Sequence, residues 1–347
     1  MNPHRLLPLG STPRGGHKAK LYLTVSALVL LTLGAGPSAA QSLQYFGYAG
    51  TTSEDTLVTT SGYTNIVYFG ATTGPEFIAN MDRLTAHKQK ALFNTAPVVW
   101  DFTFNPPVLF SDWQARWDTW TTANSAALIP GRVLAIEPFD EPMNWGIDMK
   151  GYEAVCAYIK LTLPWVKILH VDGLSSSTKG NVDAYIRAGG TLPNVDWIAL
   201  DAYCIHPGSD AEYLTFVALY KTAFPGRGWF YVVDGFWDAT HVSALGPDIN
   251  VMGPIAEEWY QLALTDPDAI GLGVFLWEGG DTQDWIQSKD FPASVLAAHR
   301  EVGNSITHRS VRVSPVKVQP RPEPIPVKPG ARDRTKTGEP VLLTVSG

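Results

Sequence analysis

The run Val133-Leu134-Ala135-Ile136-Glu137-Pro138-Phe139-Asp140-Glu141-Pro142 passes from four apolar residues to three acids within five positions. The apolar half reads as a short buried strand. The acidic half reads as its end, because Pro138 and Pro142 have no N–H to give a sheet ladder. An unpaired buried acid costs several kcal/mol or shifts its pKa, so such residues are rare in buried strands. Acids just past the carboxyl end of a buried parallel strand sit where barrel folds gather reactive groups. On this stretch alone, a solvated loop acid beside a proline turn accounts for the pattern equally well.

Working outward, seven further apolar runs repeat the motif. Strands are predicted at Gln44–Tyr48, Asn65–Phe69, Ala91–Asn94, Val133–Ile136, Val166–Val171, Trp197–Leu200, Trp229–Val233 and Leu272–Trp277. Between them lie helical patterns at Glu54–Thr60, Pro75–His87, Leu109–Ala127, Gly151–Leu163, Val182–Ala188, Ala211–Phe224 and Pro254–Leu264, and Pro292–Val302 follows the last strand. Pro75 suits a first helical turn, and Gly189-Gly190 reads as a C-terminal cap. Strands that alternate with helices, and whose apolar runs do not themselves alternate, form a parallel sheet covered on both faces. Eight such units over about 260 residues predict a single-domain α/β fold, a (β/α)8 TIM barrel. The competing arrangement is an open doubly wound sheet. Gly47-Tyr48-Ala49-Gly50 lacks the G-x-G-x-x-G spacing, and the chain has no P-loop, H-E-x-x-H or G-x-S-x-G.

The flanks differ from this body. Residues 1–40 carry Arg5, Arg14, Lys18 and Lys20 without an acid, then an apolar core from Leu21 to Leu33 and small residues at Ser38-Ala39-Ala40. That is the pattern of a secretory signal peptide, with a core too short to span a membrane. It predicts a secreted or periplasmic protein. An uncleaved anchor is the minor alternative. Residues 305–347 are rich in proline, contain no aromatic and carry 8 basic against 3 acidic side chains. They read as a disordered tail. A sharper reading gives the tail weak contact with an anionic envelope surface. The body, 41–304, holds 14 of the 26 basic residues, 30 of the 33 acids and all 12 Trp. That excess of acid argues against nucleic acid and polyanions as partners and is compatible with a neutral sugar. Cys156 and Cys204 fall in elements two units apart, which favours free thiols over a bridge.

The strand ends supply the chemistry. Strand three ends at Asn94, strand four at Asp140-Glu141 and strand five at His170-Val171-Asp172. Strand six ends at Asp201-Ala202-Tyr203 with His206 beyond it, strand seven at Asp234 with Trp237 beyond it, and strand eight at Trp277-Glu278. Carboxylates with interleaved aromatics suit a carbohydrate, since rings cover C–H faces while acids bond hydroxyls. Breaking a glycosidic bond requires a protonated acid at the leaving oxygen and a second carboxylate opposite it. Crowded acids raise the pKa of one member and so supply the proton.

Taken together, the chain resembles the barrel glycoside hydrolases of clan A over about residues 44–302. Their acid/base glutamate follows strand four, usually as Asn-Glu-Pro, and Asp140-Glu141-Pro142 stands in that place. Their strand-eight tryptophan matches Trp277, and their aromatic loop after strand six matches Tyr203 and His206. The resemblance implies Glu141 as acid/base. It also implies Asp234 as second carboxylate, where the family has a glutamate, so the carboxyl separation and the retaining mechanism stay open. Asn94, Asp140, Asp201, Tyr203, His206, Trp237, Trp277 and Glu278 are then expected to contact the sugar, with no cofactor and no metal. Three alternatives remain. Glu278 takes the second role in one. In another, Asp140-Glu141 acts like the pair of substrate-assisted hexosaminidases, and in the third the barrel binds sugar without cleaving it. A metal group of His170, Asp172, Asp201 and His206 lacks tight ligand spacing, and a satisfied core position fits His170 better.

Overall fold

Eight apolar runs pair side by side and close into a ring. The strands are β1 (Tyr45–Ala49), β2 (Ile66–Gly70), β3 (Lys90–Asn94), β4 (Val133–Glu137), β5 (Lys167–Gly173), β6 (Trp197–Asp201), β7 (Gly228–Asp234) and β8 (Ala269–Phe275). A computed structural model describes residues 43–308 apart from 51, 72–73 and 280–283. Every neighbouring pair is parallel, and β1 closes the circle against β8 with Tyr45 opposite Gly271 and Tyr48 opposite Val274. Closure decides between the two folds the sequence allows, because an open sheet leaves β1 and β8 unpaired. The segments expected to be a signal peptide (1–40) and most of the tail (309–347) lie outside the described residues. Among the described residues no helix is long and apolar enough to cross a membrane.

The strands are wrapped by α1 (Glu54–Thr60), α2 (Pro75–Ala86), α3 (Trp113–Ala123), α4 (Met149–Thr162), α5 (Ser176–Arg187), α6 (Ala211–Ala223), α7 (Met252–Thr265) and α8 (Ala293–Thr307). Three helices depart furthest from their expected boundaries, for physical reasons. Helix α5 starts six residues before Val182, because Ser175 caps it by accepting the Thr178 N–H at 3.0 Å. Helix α3 is shorter than Leu109–Ala127, because Val108–Leu109 pairs antiparallel with Trp100–Asp101. Helix α8 runs past the boundary drawn at 304. Gly303 does not end it: a Cβ there would lie 2.4 Å from the Tyr63 carbonyl and 2.7 Å from the Phe46 ring, so glycine lets α8 press onto β1. Ile306, one turn on from Val302, stays buried.

Period-two alternation sorts each strand's residues. Ile66, Leu92, Ala135, Leu169, Val171, Trp197, Ala199, Phe230 and Ile270 pack together inside the barrel. The other faces meet the helices in a larger core that includes Phe77, Trp117, Tyr152 and Trp259. The interior is therefore filled, and a ligand has room only at an end. Counting on by two places Asn94, Glu137, Gly173, Asp201 and Asp234 inward at the carboxyl rim.

Candidate active site

The ladder between β4 and β5 is short, with Ala135 opposite Lys167 and Ile136 opposite Ile168. Beyond Glu137 the chain leaves it, since Pro138 has no donor. It returns at Asp140, which bridges Val171, and Glu141 N–H donates to the Val171 carbonyl at 3.1 Å. The excursion leaves Glu141 in left-handed backbone, φ 50°, a conformation that costs a non-glycine residue about 1–3 kcal/mol and persists where surroundings impose it. Those surroundings are visible. A short helix, Pro142–Trp145, starts with proline at its first position, where no donor is needed. Met143 N–H donates to Asp172 Oδ1 at 2.9 Å. Asp172 Oδ2 in turn meets His170 Nε2 and the Tyr220 hydroxyl, each at 2.6 Å, and His170 Nδ1 reaches Tyr152 Oη at 3.0 Å. His170 is thus a satisfied core residue, and Asp172 is the buried peg on which the Glu141 turn hangs.

The Glu141 side chain lies over Gly173. A Cβ at Gly173 would be 2.0 Å from Glu141 Oε1, so only glycine leaves the carboxyl its place. Asn144 Nδ2 donates to Oε2 at 2.8 Å, and Asn144 Oδ1 is itself held by Ser175 Oγ at 2.8 Å, at the head of α5. Burial, then the adjacent Asp140 carboxylate, push Glu141 up to about 8. Asp140 reaches solvent but sits deep among protein atoms. That loss of hydration, and Asp172 nearby, raise it to about 6.

Two further acids share this bowl. Glu137 is fully buried and accepts from the Tyr68 hydroxyl and from Asn94 Nδ2 at 2.8 Å. Burial, then Asp140, raise its pKa well above the usual range. Asp201 accepts from the Tyr203 hydroxyl at 2.8 Å and is raised by burial, then by Glu141. Tyr203 packs edge-on against Phe236, and Trp285 stacks on Phe236 at 4.1 Å, giving this side an aromatic wall. On the other side Phe102 stacks on Phe139 at 5.6 Å. Four acids crowded in this way cannot all ionise at neutral pH, so the bowl holds protons.

Asp234 is arranged differently. Its Oδ2 accepts from the Cys204 N–H at 2.8 Å and meets His241 Nε2 at 2.9 Å, while His241 Nδ1 meets Asp238 Oδ1 at 2.7 Å. Burial works against charge on the imidazole, but Asp234 outweighs it with help from Asp238, and His241 is raised to about 11. Burial also pushes the Asp234 carboxyl up, and His241 opposes it. Asp234 and Glu141 thus stand in unlike surroundings: an imidazole meets Asp234 at 2.9 Å, whereas Glu141 lies beside Asp140.

The remaining expected residues lie elsewhere or are engaged. Asn94 bridges Glu137 and the Ala96 N–H. His206 pairs with Glu258 of α7 at 3.1 Å. Strand β8 ends at Phe275, two residues before Trp277, and Trp277 N–H turns back to the Ala49 carbonyl at 2.8 Å. Its ring packs on Tyr48 at 4.7 Å, its Nε1 donates to Thr56 Oγ1, and it is 5% exposed, as is Trp237. Glu278 accepts from Thr56 Oγ1 at 3.0 Å and pairs with Lys289 at 3.3 Å. The group of His170, Asp172, Asp201 and His206 does not converge: His170 and Asp172 face the helices, Asp201 faces inward and His206 turns to α7. Both cysteines are free thiols. Glu137, Tyr68, Asn144, Gly173 and Ser175 were not singled out from sequence. Glu137 carried the plainest signal, an acid two positions beyond inward Ala135 and in register with Asn94.

No protein-family model matches the chain, and no curated protein matches it in sequence. Solved structures do share its architecture. A GH5_18 protein from Streptomyces cattleya, in complex with GlcNAc, superposes with a TM-score of 0.56 at 11% identity, over 80% of this chain and 83% of that one. A thermostable mutant of a xylanase from Cellvibrio japonicus superposes with a TM-score of 0.50 at 12% identity, over 76% of this chain and 98% of that one. At these identities the likeness is one of fold, and it is the barrel that the clan A resemblance implies.

Proposed function

We propose that the chain is a glycoside hydrolase, exported from the cell, that cleaves a neutral oligo- or polysaccharide with Glu141 as general acid and Asp234 as second carboxylate. The observation that carries this reading is their unlike surroundings. Burial and the adjacent Asp140 push Glu141 up to about 8, while burial raises Asp234 against the opposing pull of the His241 imidazole at 2.9 Å. A glycosidase needs that division, and environments that drive two carboxyl groups apart assign the acid and the base. Glu141 gives its proton to the departing oxygen. Asp234 attacks the anomeric carbon or draws a proton from the attacking water. Burial, helped by Asp140, favours the protonated Glu141, and Tyr203 with the Phe236–Trp285 wall offers the sugar a face. The similarity of the barrel to a xylanase and to a protein solved with GlcNAc supports a carbohydrate ligand.

The test is a screen of the purified chain on polysaccharides and aryl glycosides, with Glu141→Gln and Asp234→Asn alongside. Hydrolysis of at least one substrate is expected, with a loss of about 10²–10⁴ in Glu141→Gln on unactivated substrates. If Asp234→Asn keeps wild-type rates while Asp140→Asn is dead, the substrate-assisted reading, in which Asp140 orients an acetamido group, replaces this one. Tight sugar binding without turnover would make the barrel a binding protein.

A further inference from the structure

Beside the acid bowl, the end of β7 gathers a second set of side chains with different chemistry. Asp234 closes the strand, Cys204 lies three residues past β6, and His241 belongs to the short helix Ala239–Leu245. One ligand atom from each lies within 4.8 Å of the other two. Asp234 and His241 are 2% and 0% exposed, whereas Cys204 is partly open and leaves a way in. Asp234 Oδ1 is buried and has no hydrogen-bond partner among the described residues, while the Phe236 N–H also supports the carboxylate. Asp238 holds His241 Nδ1 at 2.7 Å, so Nε2 is the nitrogen turned towards Asp234 and Cys204. A carboxylate behind the far nitrogen is the outer support that metal-binding histidines almost always have.

We propose that Cys204, Asp234 and His241 form a binding site for a borderline-soft divalent cation of the zinc type. Thiolate, imidazole and carboxylate are the donors such an ion takes, and three of them leave a fourth position open. The sulfur donor selects against Mg²⁺ and Ca²⁺, which take oxygen ligands. Bonds of about 2.0–2.3 Å put tetrahedral donors roughly 3.5 Å apart, so the three need only modest movement. The exchange balances. Protons held by the ligand atoms pass to solvent as the two positive charges of the ion arrive.

Binding does not depend on the hydrolase reading. Inhibition by the bound ion does rest on it, since the ion would occupy the second carboxylate. The experiment therefore reads metal directly. Full-length protein is stripped with chelator and titrated with Zn²⁺ against a competing chromophoric chelator, then with Co²⁺ in an absorption cell. One ion per chain is expected, with a thiolate-to-cobalt charge-transfer band. Cys204→Ser should lose that band, and Asp238→Asn, which leaves all three ligands in place, should weaken Zn²⁺ binding about 10–100-fold. Glu141→Gln should bind as wild type does, even if no glycan is ever cleaved. Absence of a thiolate band, or Zn²⁺ affinity indifferent to both Cys204→Ser and Asp238→Asn in variants that melt like wild type, overturns the proposal.

Discussion

Replacing Gly173 with alanine puts a methyl group where the Glu141 carboxyl lies. The added Cβ would be 2.0 Å from Oε1, 2.8 Å from Cδ and 3.4 Å from Oε2. Ordinary contact needs about 3.4 Å or more, so Oε1 has to move by about 1.4 Å. The atom that yields is the tip of a flexible side chain, and the Gly173 backbone is not left-handed, so the fold can accommodate alanine. Within a strand alanine is even favoured over glycine by about 0.5–1 kcal/mol. The acid, however, leaves the position that Asn144 defines at 2.8 Å. A misplacement of about 1 Å in a reacting group costs on the order of 10² in rate. Gly173→Ala should therefore melt within a few degrees of wild type yet lose about two orders of magnitude in kcat/KM on an unactivated glycoside. Wild-type turnover at unchanged stability would refute the placement of the acid. A drop of ten degrees or more in melting temperature would show that Gly173 serves packing instead.

The proton on Glu141 also sets pH dependence. Its folded pKa of about 8 lies above the ordinary 4.5, so its contribution to stability is full below about pH 4.5 and is lost as pH rises through 8. Glu141→Gln, which has no proton to lose, should be more stable than wild type at pH 9 by roughly 1–3 kcal/mol and indistinguishable at pH 4, as read by denaturant titration at both pH values. Because the acid must be protonated to act, kcat/KM should fall as pH rises through about 8. Asp140→Asn should shift that limb downward yet leave it above the usual glutamate range, since burial remains; an unmoved limb would exclude Asp140 as its cause. Asn144→Ala should lower kcat more than it raises KM, because it frees the Glu141 carboxyl without touching a sugar subsite. Azide should restore turnover to Asp234→Ala with inverted product if Asp234 is a nucleophile, and give no rescue if it activates water.

The barrel was legible because its strands are apolar on both faces, so even short runs such as Trp197–Leu200 stand out between polar helices. The elements that escaped were those decided by partners far along the chain. Asp172 looks like a strand end, yet β5 continues to Gly173 because Tyr220, 48 residues on, and His170 take up its charge inside the sheet. The turn that carries Glu141 was readable from two prolines and an acid pair. The Gly173 seat and the Asn144–Ser175 support were not, because each depends on how β4 and β5 part at Pro138. The end of β8 illustrates the reverse case. The strand stops two residues before Trp277, whose ring packs on Tyr48. His241, silent in sequence, meets the Asp234 carboxyl from seven positions away.

The central claim is that Glu141 remains protonated at neutral pH. Carboxyl carbon-13 NMR of glutamate-labelled protein, titrated from pH 4 to 10 with Glu141→Gln to assign the resonance, measures this without a substrate. A midpoint near 8 for the resonance missing in Glu141→Gln is the predicted result. A midpoint near the ordinary glutamate value of about 4.5 would contradict it and remove Glu141 as the general acid.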